Sequence, residues 1–298
     1  MSNAAPFSYD IPRGSNLGPL LFLVYINDLP NCLRLTSPRM FADDTNITFA
    51  ASTLIDLEKG LNTELRSLNQ WLISNKLSLN VAKTEYMVIG SNQRLHSFSD
   101  EQINIEIDAK LITKVKEAKS LGVIIDEHLS WSNHIDALSK KISSAIGALK
   151  RIRPFISEHT ALQIYQALIL PHFDYCSSVW GDCNLTLSDK LQKLQNRAAR
   201  AITRSNYDTS ASSLLNRLNW DDLITRQQKL KVTLMFKTIK GLTPVILQNL
   251  FSTRYNFRDS EAKLELPMPR TNIASVLFVI AEHSYRIICL LVCKNQTP

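Results

Sequence analysis

Leucines at 54, 57, 61, 65, 68 and 72 recur in steps of three and four, which sets one apolar stripe along an amphipathic helix that starts near Thr53. Upstream, LGPLLFLVYINDL (17–29) is apolar almost without a break and predicts a buried helix ending at Pro30. Between the two, RMFADDTNITFA carries Phe, Ile, Thr and Met on both sides of Asp43 and Asp44. That pattern predicts a strand, a tight turn at the acid pair and a second strand. After the polar stretch NKLSLNVAKT, EYMVIG reads as a short strand, INIEIDAKLI alternates with period two and opens a hairpin, and SLGVIID gives a further strand.

Beyond Trp131 the pattern changes to helices: HIDALSKKISSAIGALKRIRPF, HTALQIYQALILPHFDYC, LSDKLQKLQNRAARAIT and WDDLITRQQKLKVTLMFKTIKG, the last stopped by Gly241 and Pro244. The chain therefore divides near Trp131 into an α/β half and a helical half. After about Phe257 no pattern assigns itself. IASVLFVIA and IICLLVC are apolar, but EHSYR separates them and neither approaches the ~20 residues of a membrane span, so they read as buried or poorly formed segments.

Length and composition add bounds. The 298 residues, 45% hydrophobic, suffice for about two domains with cores of their own. The net charge of +7 is concentrated: from Ala137 to Arg204 ten Lys and Arg stand against four acids, or 10 − 4 = +6. Such a region suits a polyanion, although a solvated basic helical face has the same composition. Five cysteines without paired or metal-ligand spacing support neither a disulfide framework nor a zinc site, and imply reduced intracellular thiols. The start lacks the basic and apolar regions of a secretory signal, which argues against secretion, and no targeting signal chooses between nucleus and cytoplasm.

Adjacent carboxylates each raise the other's pKa and need protons, cations or a metal. A hard divalent cation such as Mg²⁺ takes oxygen ligands and neutralises both; in a two-ion centre such acids serve phosphoryl transfer. A plain solvated Asp-Asp turn is the simpler reading of these two residues alone.

The neighbours sharpen that choice. IPRGSNLGPLLFLVYINDLP followed by FADDT resembles two consecutive motifs of reverse transcriptases from non-long-terminal-repeat (LINE-type) retrotransposons: a Pro-Gln-Gly-Ser turn opening a helix, then a Phe-Ala-Asp-Asp catalytic hairpin. LNQWLISNKLSLNVAKTEYMVIG, SLGVIIDEHLSWSNHI, YQALILPHFDYCSSVWG and LQKLQNRAARAIT resemble the family's later segments in the same order, so the likeness runs from about Ile11 to Leu266. It implies an α+β fold, a partial polymerase palm (1–131) of antiparallel sheet and helices, then an all-helical thumb- or connection-like region (132–257) and a divergent tail (258–298). The sheet is expected to combine the acid hairpin with the 105–126 strands, on helices near 17–29 and 53–79.

The resemblance further implies that Asp43 and Asp44 hold Mg²⁺, that Phe41 and Ala42 set the strand delivering them, and that Pro12, Arg13, Gly14 and Ser15 form the turn near nucleotide and template. Lys83 matches a lysine near the nucleotide's phosphates, where an ammonium assists a leaving pyrophosphate. Trp71 reads as core rather than a stacking surface. Lys140, Lys141, Lys150, Arg151, Arg153, Lys193, Arg197, Arg200 and Arg204 are the candidate nucleic-acid contacts. The implied partners are RNA template, RNA/DNA hybrid and deoxynucleoside triphosphates, with no membrane.

Two departures count against activity. The family carries another catalytic aspartate on a strand well upstream of its Pro-Gln-Gly-Ser turn, whereas ten residues precede Ile11 here; Arg13 stands where the family has glutamine and cannot accept a hydrogen bond. The expectation is a reverse transcriptase fragment inactive by itself. A non-catalytic nucleic-acid-binding remnant and an inert remnant are the alternatives.

Overall fold

The structure, a computed structural model, describes residues 16–97, 103–249 and 287–296. The chain forms two compact units, Met1–Ser120 with Tyr285–Pro298, and Leu121–Ser284.

In the first unit, helix α1 (Gly18–Ile26) and a 3₁₀ turn (Leu29–Cys32) lead to strands β1 (Ser37–Phe41) and β2 (Asp44–Ala51). Helix α2 (Leu54–Ser74) follows, then β3 (Ser78–Leu79), a 3₁₀ turn (Val81–Lys83), β4 (Glu85–Ile89) and helix α3 (Asn92–Ser97). Short strands β5 (Glu106–Ile107), β6 (Lys110–Leu111), β7 (Thr113–Lys114) and β8 (Glu117–Ser120) complete its continuous part.

The stripe on α2 is the spine of this unit. Leu57, Leu61 and Leu65 are fully buried and Leu68 and Leu72 nearly so, each contributing roughly 2 kcal/mol by leaving water. Thr53 caps the helix, its hydroxyl accepting from the Asp56 N–H at 3.1 Å. Gly60 lets β2 approach, since a Cβ there would lie 2.3 Å from the Phe49 ring. Trp71 packs against the same core.

The expected buried helix at 17–29 is shorter and mostly uncovered. Ile26 is buried in α1, whereas Leu20, Leu23 and Val24 are exposed. A segment apolar all round has no polar face to give to solvent, and here only the side bearing Phe22 and Ile26 meets the core.

The main sheet has the order β1-β2-β10-β4-β7, where β10 is Ile287–Gln296 and β3 also pairs with β10. It differs from the expected sheet, because only β7 of the 105–126 strands joins it, parallel to β4. β5 and β6 instead pair with each other across Asp108 and Ala109, both with positive φ. Asn62 of α2 holds that hairpin, donating to the Asn104 carbonyl at 2.8 Å and accepting from the Glu106 N–H at 3.0 Å.

The chain enters the second unit at Leu121 and Gly122, both with positive φ. There follow β9 (Val123–Asp126), α4 (Ser132–Ile152), α5 (Glu158–Leu168), α6 (Leu170–Asp174) and α7 (Ser177–Trp180). The helices end with α8 (Leu185–Thr203), α9 (Ala211–Leu218), α10 (Leu223–Ile239) and α11 (Val245–Gln248). Pro171 explains why the expected single helix at 159–176 is two. Trp131, at the start of α4, is left-handed and offers no side-chain cap; Asp126 holds the turn that leads into the helix, accepting from the His128 and Ser130 N–H groups at 3.0 Å and from the Trp131 N–H at 2.9 Å. Ser157, Asn184 and Asp222 cap α5, α8 and α10 through their own side chains.

Candidate functional site

The acid pair sits on the β1–β2 hairpin. Phe41 pairs with Asp44, so the turn consists of Ala42 and Asp43, and Asp44 is already the first residue of β2. Ala42 has φ 51°, a left-handed conformation that costs an L residue with a Cβ roughly 1–2 kcal/mol. A first central residue of positive φ matches the twist of two-residue hairpins, and strain of this kind persists where the surroundings over-determine it.

Those surroundings are identifiable. Glu64 of α2, only 2% exposed, receives the chain just before β1: the Arg34, Leu35 and Thr36 N–H groups donate to its carboxylate at 3.1–3.2 Å and the Thr36 hydroxyl at 2.8 Å. A buried carboxylate is tolerated when several donors converge on it. Glu64 thus anchors the entry to the hairpin while the Gly60–Phe49 contact anchors its exit. Sequence reasoning overlooked Glu64, although an acid three residues after Leu61 on the apolar stripe is a usable signal.

Both Asp43 and Asp44 are half-buried, Phe41 and Ala42 are exposed, and neither carboxylate has a hydrogen-bond or ion-pair partner among the described residues. By strand alternation Asn46 shares a face with Asp44. Its amide nitrogen donates to the Ser120 hydroxyl at 3.1 Å, which leaves the amide oxygen buried without a partner. Two carboxylates and an amide oxygen are hard donors and fit a divalent cation such as Mg²⁺. They do not fit a two-ion centre on their own, since no group of three His, Cys, Asp or Glu able to hold a metal occurs among the described residues.

Lys83, exposed at the end of its 3₁₀ turn, lies toward the same end of the sheet. Val292 of β10 pairs with both Glu85 and Asn46, and Lys83 and Asp44 each precede those partners by two residues. Between them, Lys294 stands opposite Asp44 in the register. Pro12, Arg13, Gly14 and Ser15 lie outside the described residues.

The candidate cations of the second unit fall into two groups. Lys140, Lys141, Lys150 and Arg151 on α4, and Lys193 and Arg197 on α8, are at least partly exposed. Lys140 and Arg151 stand eleven residues apart, close to three helical turns, and so share a face. The other three are tied into the fold. Arg153 is buried, its Nε donating to the Ile202 carbonyl at 2.7 Å and a terminal nitrogen to the Ile156 carbonyl at 2.8 Å. Arg204 donates to the Arg153 carbonyl at 2.7 Å; Arg200 donates to the Thr209 carbonyl at 3.3 Å and lies 5.4 Å from the centre of the Tyr207 ring. The fold thus places Arg153 inside rather than at a surface contact.

Comparison with known proteins shows what the segment carrying the hairpin resembles. Residues 5–125 match the family model described as reverse transcriptase (RNA-dependent DNA polymerase). The likeness thus covers residues 5–125, well under half of the chain. The chain is 27% identical over 219 residues to the probable RNA-directed DNA polymerase from transposon BS of Drosophila melanogaster, covering 70% of this chain and 24% of that protein. It is 24% identical over 203 residues to the RNA-directed DNA polymerase from mobile element jockey of Drosophila funebris, covering 65% and 22%. With the retrovirus-related Pol polyprotein from type-1 retrotransposable element R1 of Nasonia vitripennis it shares 26% over 216 residues, 70% of this chain and 64% of the other. The chain thus spans about a quarter or less of the BS and jockey proteins. No solved structure matches it. Asp43 and Asp44 both fall within the reverse transcriptase match, and no described helix is long and apolar enough to cross a membrane.

Proposed function

We propose that this chain is a fragment of a retrotransposon RNA-directed DNA polymerase, with residues 1–131 as its partial palm, 132–257 as a helical thumb- or connection-like region and 258–298 as a divergent tail. The observation that carries the reading is the acid pair on a strained two-residue turn, held at both ends by α2, within a reverse transcriptase match. In this reading Asp43 and Asp44 hold a divalent ion, Phe41 and Ala42 present them, and Lys83 attends the nucleotide's phosphates. Pro12, Arg13, Gly14 and Ser15 contact nucleotide and template. The substrates are RNA template, RNA/DNA hybrid and deoxynucleoside triphosphates.

By itself the chain does not polymerise. Its described hairpin offers two carboxylates where two-ion phosphoryl transfer needs a fuller and rigid ligand set, and looseness of an ångström costs orders of magnitude in rate. Primer extension by the purified chain on a primed RNA template, with Mg²⁺ or Mn²⁺, is expected to yield no product. Extension abolished by Asp43→Ala would overturn the inactivity and leave the family role standing.

A second reading, a nucleic-acid-binding remnant, is favoured by the exposed cations of α4 and α8. Such binding would rest on phosphate contacts, fall steeply with salt and show little sequence preference. RNA binding titrated against salt tests it.

A further inference from the structure

The middle of the main sheet is made by the segment farthest away in sequence. β2 and β4 do not pair with each other; each pairs antiparallel with β10, over Asp44–Ala51 on one side and Glu85–Ile89 on the other. β4 is buried on both faces, with Tyr86, Met87, Val88 and Ile89 all at most 4% exposed, as a central strand requires and an edge strand does not. Without β10 the sheet would be two fragments, β1–β2 and β4–β7, each with an unpaired row of backbone donors and acceptors. After Ser120 the described chain belongs to the second unit, and Ile287–Gln296 belong to the first again. The segment that returns, IICLLVCKNQ, is apolar and rich in good strand formers for seven residues and has no acid, the composition a slot between two buried strands selects.

We propose that the space between β2 and β4 is a strand-acceptor site, a slot for one extended apolar segment that pairs with both edges, and that this chain fills it with its own residues 287–296. Recognition is mainly by backbone hydrogen bonds to both neighbours, which is the chemistry of strand addition to a sheet edge. Filling the slot also sets Lys294 opposite Asp44 in the backbone register. Neither metal binding nor polymerase activity is needed for this pairing.

The native cysteines of β10 supply the test. Cys289 stands opposite Phe49 and Val88, and Cys293 opposite Thr45, at the spacing of directly paired antiparallel residues, which is within disulfide range. In the full chain under mild oxidation, Val88→Cys is expected to crosslink to Cys289 and Thr45→Cys to Cys293 within one molecule. Met87→Cys, one residue out of register with Cys289, is expected to give no such crosslink. Equal yields from the control, or no in-register crosslinks, would overturn the proposal; crosslinks joining two molecules would replace the occupant with a second copy and overturn it in the form given. A second arm uses the full chain with Leu290→Pro and Leu291→Pro together, which removes one donor toward each neighbouring strand. This variant should bind a synthetic peptide of residues 287–296 saturably, through the same Val88→Cys partner, while the unaltered chain does not. Binding by both chains, or by neither when the variant retains the helical content of the parent, would contradict a separable slot.

Discussion

Each unit buries a carboxylate that gathers backbone N–H groups, Glu64 in one and Asp126 in the other, and the helical unit adds a buried cation that does the converse. In the α/β unit the Glu64 carboxylate gathers backbone N–H groups from residues 34–36; in the helical unit the Arg153 guanidinium gathers the carbonyls of Ile202 and Ile156. Both clamp a chain reversal by satisfying backbone groups that water does not reach well. The residues left for chemistry differ accordingly. The first unit presents two unpaired carboxylates on a turn, the second a set of exposed cations on helix faces. A buried charge with several backbone partners is structural, and a half-exposed one without partners is available.

The largest expected effect sharpens that contrast. Glu64→Ala leaves three backbone donors and a hydroxyl without their acceptor, and should cost about 3 kcal/mol in urea unfolding, with Glu64→Gln costing less. Arg153→Ala removes two donations to carbonyls and should cost about 2 kcal/mol, not recovered by Arg153→Lys because a lysine lacks the fork that reaches both. A loss at Arg153 no larger than that of an exposed lysine would break the parallel drawn between Glu64 and Arg153.

Next comes pH. The His134 ring, buried between β9 and Trp180, accepts the Ile124 N–H through Nδ1 at 3.3 Å; burial first, and then the charge of Lys141, lowers its pKa from the ordinary 6.5. The folded state therefore binds this proton less readily than the unfolded chain. Its contribution is complete above the ordinary imidazole value and is lost as pH falls below it toward the lowered one. Unfolding measured from pH 7.5 down to pH 5 (about the span over which an imidazole titrates) should show that loss, and His134→Asn should flatten it.

The smallest effect on stability concerns the exposed cations. Lys140→Gln with Arg151→Gln should change stability by less than about 0.5 kcal/mol. If the helical unit holds RNA, the same pair should lower the salt slope of binding by about 0.7 for each phosphate that is no longer neutralised.

Much of this was legible from patterning. The leucine stripe located α2, the alternation either side of the acid pair located β1 and β2, and FADDT with its neighbours pointed to the reverse transcriptase family before any geometry. Local periodicity does not reveal which strands neighbour each other, so the sheet's centre was missed: IICLLVC reads the same whether it is a core strand or loose apolar chain. Nor does it separate Arg153 from Arg151, since the partners of Arg153 include a carbonyl 49 residues away. Ala42 gave no warning of a left-handed turn, because alanine has no preference for one.

The central claim is that the hairpin at residues 41–46 is a divalent-cation site left by a polymerase. Amide resonances followed during Mn²⁺ addition test it most directly, through the paramagnetic broadening of residues near the ion. Broadening is predicted to centre on Phe41–Asn46 and to be abolished by Asp43→Asn with Asp44→Asn, a variant whose urea unfolding matches the parent. Broadening centred elsewhere, or unchanged in that variant, would contradict the claim.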